Sequence, residues 1–244
     1  MQPAVCSNCT YREQLRPDDL VAFEVTVAES SLFICAQRDL SAAAESLLRS
    51  ARRDIEGYAA GHPGFCESLE PLESGSEAPA IVRQMCEAGH AAGVGPMAAV
   101  AGAIAEVVAL GLLQKSDEVI VENGGDIFLA SRRQRTVAIW AGSSPLSRRV
   151  GLKIPADAMP LSVCTSSGTV GPSLSFGKAD AAVIVAQSGA LADAAATAVG
   201  NRARTAADVE AALGLGKSIA GVQQVVVIIG DTLGAWGQYE LAPL

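Results

Sequence analysis

The 244 residues are half apolar and only 18% charged, which excludes a disordered chain and is enough material for a substantial core. A net charge of −8, with basic residues in small groups (Arg132, Arg133 and Arg135, then Arg148 and Arg149), excludes the basic stripe of a general nucleic-acid binder. The longest apolar stretch, Met97 to Leu113, is broken by Glu106 and falls short of the roughly 20 residues of a membrane span, so it reads as a buried core helix. The N-terminal "MQPAVCSNCTYREQLRPDD" has neither a basic n-region nor an apolar h-region, and the expected location is the cytoplasm. Residues 1–19 are expected to be a tail ahead of a single domain.

Residues 21–27 alternate apolar and polar and predict a half-buried strand; after a polar turn, Leu32 to Ala36 predicts its hairpin partner. Ser41 opens an amphipathic helix with the stripe Ala44, Leu47, Leu48, Ala51, Ile55 and Tyr58, and "GHPG" ends it. Residues 66–78, "CESLEPLESGSEA", are acidic and rich in Pro, Gly and Ser, and read as an exposed surface loop. From Ala80 a helix runs to about Gly89, followed by the Ala/Gly/Val helix to Leu113, whose small residues allow close backbone approach. "EVIVENGGDIFLA" predicts strand, turn and strand, then come strands at 136–142 and 149–154, with "RRQR" expected at a solvated hairpin tip. A short strand near Cys164, a Ser/Gly-rich loop and a buried strand at about 179–186 precede a helix at 190–201. Thr205 and Asp208 form a capping-box pattern for a helix to Leu213, and "QVVVIIG" and "TLGAWGQYEL" close the chain as a hairpin. The pattern gives about nine strands and five helices joined mainly by hairpins, an α+β fold with mixed or antiparallel sheets and Ala-rich helices packed on them.

Six cysteines in such a chain predict buried thiols rather than disulfides. Cys6 and Cys9 make one CxxC, but zinc wants four ligands and no second pair follows, so a zinc-binding interaction tail ranks low.

Three polar clusters stand out against this apolar background. In "ADAAATAVGN" (192–201), Asp193, Thr197 and Asn201 recur every four residues, so Asp193 and Thr197 share a helix face with Cβ atoms roughly 5 to 6 Å apart. If that face is buried, an unpaired carboxylate costs several kcal/mol and requires a cation opposite, an arginine or a metal ion. A carboxylate, a hydroxyl and a carbonyl suit Mg²⁺; equally, an exposed helix end needs the three residues only for solvation. "ENGGD" (122–126) places Glu122, Asn123 and Asp126 around Gly124 and Gly125, more polar groups than a Gly-Gly turn requires, and suited to reading a base or ribose. "CTSSGTVG" (164–171), with Thr165, Ser166, Ser167 and Gly168, offers the hydroxyls and backbone N–H groups that cradle phosphates, without the pattern of a P-loop.

These clusters, in this order and with "VGPMAAVAGAIAEVV" (94–108) and "SLSFGKADA" (173–181), resemble the ApbE superfamily of flavin transferases. The resemblance implies a Mg²⁺-dependent reaction on FAD, in which FMN passes to a Ser or Thr hydroxyl of an acceptor protein and AMP is released. It also implies that the metal is held by Asp193, the Ala196 carbonyl and Thr197. Gly124, Gly125 and Asp126 then lie against the nucleotide, and Thr165, Ser167 and Gly168 form the family's Thr-Ser-Gly loop. One departure concerns catalysis. Where the transferases carry a histidine after that loop, this chain has Pro172 and Ser173, and loss of a general base costs roughly 10²- to 10⁴-fold. The "KGxAVD" pattern is altered too, since "GPMAAVAG" lacks the Asp. The chemistry implied is FMN transfer or cleavage of FAD to FMN and AMP; the alternative is a non-catalytic nucleotide or small-metabolite binding module. The Ala-rich apolar character is compatible with a homodimer.

Overall fold

Residues 17–169 and 177–244 are described in the computed structural model. In chain order the elements are β1 (Val21–Val27), β2 (Ser30–Ala36), α1 (Ser41–Gly61), α2 (Ala80–Ala92), α3 (Val100–Leu112), β3 (Val119–Asn123), β4 (Asp126–Ala130), β5 (Arg135–Ala138), β6 (Val150–Ile154), β7 (Leu161–Ser166), β8 (Ala181–Ala186), α4 (Gly189–Arg202), α5 (Val209–Ser218), β9 (Val222–Ile229), β10 (Thr232–Gly237) and β11 (Glu240–Pro243). Eight strands form one antiparallel sheet in the order β1-β2-β3-β4-β7-β8-β9-β10, and β11-β6-β5 form a second, smaller one. The α+β expectation is met.

The large sheet is two copies of one plan. Hairpins β1–β2 and β3–β4 flank α1 to α3, hairpins β7–β8 and β9–β10 flank α4 and α5, and β4 joins β7 through three residue pairs, Ile127 to Leu129 against Val163 to Leu161. The helices cover one face of the sheet and the small sheet contributes to a second core on the other. On β9, Val225 and Val227 join the helix-side core while Val226 and Ile228 join the small-sheet core; on β8, Ala182 and Ile184 alternate likewise with Val183 and Val185. Both faces of these strands are buried, which explains their continuous apolar sequence.

Eleven strands are present among the described residues, and the difference from nine is concentrated near the small sheet. The "RRQR" segment is not a hairpin tip: β4 pairs with β7 and β5 with β6, so the segment carries the chain from one sheet to the other. Nor is Arg135 solvated. Its side chain is 13% exposed and forks onto Asp19 at 2.8 and 2.9 Å while also reaching Glu118 at 3.2 Å. Asp19, assigned from sequence to the tail, is thereby fixed to β5. The CxxC cysteines Cys6 and Cys9 lie outside the described residues. Cys86 and Cys164 are buried thiols, and Cys66 sits exposed in the 66–78 loop.

Helix α4 is alanine-rich because it is buried on nearly every side, against α2, α3 and the strands β7 and β8. Its N-terminal turn approaches α3 closely. A Cβ on Gly102 would stand 2.2 Å from the Gly189 carbonyl oxygen, and one on Gly189 would stand 2.4 Å from that of Gly102. Gly102→Ala is therefore expected to destabilise the fold by about 1–3 kcal/mol, the usual cost of overpacking. Gly214→Ala in α5, where a Cβ meets nothing within 4 Å, is expected to be neutral or to stabilise by up to about 1 kcal/mol. Urea denaturation of the two variants checks the contrast, and equal midpoints would contradict the contact.

Candidate functional site

The β3–β4 connection is a two-residue turn. Asn123 pairs with Asp126, and the residues between them, Gly124 and Gly125, have φ of 67° and 110°. Positive φ at both central positions suits the twist of a tight hairpin and explains the glycines. The polar residues around them each have a definite place. Glu122, 2% exposed, accepts the Gly125 N–H at 2.8 Å through Oε1, and Asn123 Nδ2 donates to the Ala101 carbonyl at 3.0 Å, tying the turn to the start of α3.

Asp126 is the first residue of β4 and is buried, 7% exposed. The Thr165 N–H and the Cys164 thiol donate to its carboxylate, yet Oδ1 is buried without a hydrogen-bond partner among the described residues. Burial, and next the charge of Asp193, hold its carboxyl well above the usual range. The turn and the end of β7 therefore meet at this carboxylate.

Asp193 faces the same place from α4. Its Oδ2 accepts the Gly102 N–H at 2.9 Å, and the Ala101 N–H also donates to the carboxylate. These two N–H groups belong to the first turn of α3 and have no partner within that helix, so Asp193 caps it. The sequence expectation was an arginine or a metal opposite this carboxylate; backbone dipoles occupy one side of it instead. They do not neutralise it. Burial pushes its carboxyl up to about 7. Two acidic groups with raised values sit next to one another, the pattern of a site that is costly to leave without a cation.

Thr197 lies one turn further along α4, partly exposed, and Asn201 partly exposed at the helix's last turn. Ala196 is in the helix interior with its side chain fully buried. Its carbonyl belongs to the helical ladder and offers a metal only its second lone pair. Among the described residues no three His, Cys, Asp or Glu side chains form a cage for a metal ion. A cation here would rest on oxygen atoms, from Asp193, Thr197 and Ala196, completed by water or ligand, which is the preference of Mg²⁺.

At the end of β7, Thr165 and Ser166 are half-buried, and Ser167 and Gly168 continue into the loop beside Asp126. Ser167 Oγ accepts the Thr169 N–H at 3.1 Å, and Gly168 N–H donates to the Ala179 carbonyl at 2.9 Å. Sequence reasoning missed Asp180, which anchors this loop: Thr169 Oγ1 donates to Oδ1 at 3.0 Å and the Gly230 N–H to Oδ2 at 2.7 Å. It also missed Cys164, whose alternation on β7 turns it toward the helices and Asp126. Pro172 and Ser173 lie outside the described residues. His62 stacks on Tyr58 at 3.8 Å between ring centres. His90 pairs with Glu73 at 3.1 Å in a separate cleft of about 480 Å³ beside the acidic loop.

The doubled sheet-and-helix plan, with its polar groups gathered at the β3–β4 turn, defines an ApbE-like α+β protein. The fold matches a flavin transferase ApbE from Vibrio cholerae with a TM-score of 0.55 at 11% identity, covering 90% of this chain and 97% of that one. It matches an ApbE protein from Thermotoga maritima with a TM-score of 0.57 at 11% identity, covering 88% and 96%. A family model described as "AbpE bacteria" matches residues 12–235, and the chain belongs to that family. Among its relatives are UPF0280 proteins of Methanosarcina acetivorans, 42% identical over 198 residues (80% of this chain, 78% of the relative), and of Methanocella arvoryzae, 45% identical over 188 residues (77% and 76%).

The raised carboxyls set the pH dependence of stability. Asp193 holds a proton in the folded state at pH values where the unfolded chain has released it. Its contribution is thus complete below about pH 4 and is lost as pH rises through about 7. Asp19, Glu118 and Asp208, lowered by their partners, are ionised throughout the upper part of that range. The melting temperature in EDTA is expected to fall between about pH 5 and about pH 8, and Asp193→Asn to reduce that slope. A flat wild-type profile would contradict the arrangement.

Proposed function

We propose that the protein binds the flavin nucleotide FAD together with Mg²⁺, and that it transfers FMN to a Ser or Thr hydroxyl of an acceptor protein or, with water as acceptor, cleaves FAD to FMN and AMP. The observation that carries this reading is the adjacency of Asp126 and Asp193, a buried and a half-buried carboxyl with raised values beside a loop of hydroxyls, in a chain of the ApbE-like fold. The orphaned Asp126 Oδ1 and the hard oxygen donors of Asp193 and Thr197 fit a small divalent cation. When bound, that cation supplies charge stabilisation at the pyrophosphate.

The chain's own residues have separate tasks in this reading. Asp193, Thr197 and the Ala196 carbonyl hold the metal. Asn123, Gly124, Gly125 and Asp126 line the nucleotide, and their turn is kept rigid by Glu122. Thr165, Ser166, Ser167 and Gly168 direct hydroxyl and N–H groups to the phosphates. In the transfer, the acceptor oxygen bonds to the FMN phosphorus as the bond to AMP breaks, and the acceptor's proton is released.

A second reading, a nucleotide-binding module without catalysis, is favoured by one observation: neither described histidine is at the site. Incubation of the purified protein with FAD and Mg²⁺ separates the two. AMP release, resolved by chromatography, is expected; FAD binding without AMP, with or without protein acceptors, would leave the binding module. Asp193→Ala is expected to weaken Mg²⁺-linked FAD binding at least about tenfold in a folded protein, the loss of about 1.4 kcal/mol or more. Unchanged binding would remove the metal from the site.

A further inference from the structure

Glu106 interrupts the apolar α3, and burial pushes its carboxyl up. Nothing in the proposed chemistry uses it. It lies one turn after Gly102, as Asp193 lies one turn after Gly189, within matching pentapeptides: "GAIAE" at 102–106 and "GALAD" at 189–193. The glycines of the two segments are the point where α3 and α4 touch.

The hydrogen bonds are reciprocal. Asp193 on α4 accepts the Gly102 N–H at the start of α3, and Glu106 on α3 accepts the Gly189 N–H at the start of α4, at 2.7 Å through Oε2. Ser188 Oγ and the Ala190 N–H also donate to Glu106. The links close a ring: Gly102, one helical turn to Glu106, across to Gly189, one turn to Asp193, and back to Gly102. Rotating or sliding α4, the movement that would carry Asp193 away from Asp126, breaks one link or the other. The two corners nevertheless differ in the next turn of their helices. Three and four residues after Asp193 come Ala196 and Thr197; three and four after Glu106 come Ala109 and Leu110, the latter 44% exposed and without a side-chain oxygen to offer.

We propose that Glu106 is a positioning residue for Asp193: of the two carboxylates in this reciprocal pair of helix contacts, one clamps the helices so that the other is presented to the cation. This rests on the Mg²⁺ site proposed above. A side chain that orients a metal ligand typically alters metal affinity by about 10- to 100-fold when removed.

The test is a titration of MgCl₂ into protein with FAD, read by calorimetry well below each variant's melting temperature. Melting curves with and without MgCl₂ accompany it. Glu106→Ala is expected to lower Mg²⁺ affinity about 10- to 100-fold and to shrink the Mg²⁺-induced rise in melting temperature. Glu106→Gln, whose amide oxygen still accepts from Gly189, is expected to stay within a few-fold of wild type. A folded Glu106→Ala with wild-type Mg²⁺ affinity, even at a lower melting temperature, would overturn the proposal and leave Glu106 a purely structural cap. So would a Glu106→Gln as impaired as Glu106→Ala. If Glu106→Ala does not fold, Glu106→Asp, one methylene shorter, is judged by the same criterion. Wild-type protein without any Mg²⁺-linked FAD binding would instead refute the site itself, and this inference with it.

Discussion

Contact between the backbones of α3 and α4 at Gly102 and Gly189 is the constraint on which the rest depends. Only glycine permits it, and the proximity lets each helix receive a carboxylate from the other. Asp193 is consequently tied to the first turn of α3, whose Ala101 carbonyl is also bonded by Asn123 of the Gly-Gly turn. One short chain of contacts thus connects the helix pair, the β3–β4 hairpin and the end of β7. The alanines of α4 serve the same end, since larger side chains would hold the helix off α2, α3 and the sheet.

The arrangement sacrifices stability locally. Asp126 and Asp193 are desolvated and repel one another, and hydrogen bonds from Cys164, Thr165, Ala101 and Gly102 offset only part of that cost. Residues that break a local rule without structural benefit cluster where function resides. By contrast, Glu118 is also a buried acid, but Ser131, the Arg132 N–H and Arg135 satisfy it, and its carboxyl sits below the usual value. Glu118 is thus satisfied by its neighbours, whereas Asp126 and Asp193 are satisfied only in part.

Much of this was legible in the sequence. Period-two alternation located β1, helical periodicity located α1, and the spacing of Asp193 and Thr197 placed them on one face. The ordered motifs gave the ApbE-like fold, which the family match and the structural likeness bear out. What was not legible depended on distant partners. Arg135 and Asp19 are 116 residues apart, so their ion pair could not be read from the neighbours of either. Glu106 looked like an interruption of an apolar run because its partner, the Gly189 N–H, is a backbone group 83 residues away. The doubled plan lies in the order of the hairpins, which only the strand pairing shows.

The small sheet has a consequence of its own. β5 and β6 are contributed between the two halves, but β11, which completes their ladder by pairing Glu240 to Pro243 with Lys153 to Val150, is the last strand described. During synthesis the β5–β6 hairpin emerges long before the strand that covers its free edge. One flank of the second core therefore waits for residues 240–243, and a ribosome-bound chain carries an open edge until they emerge.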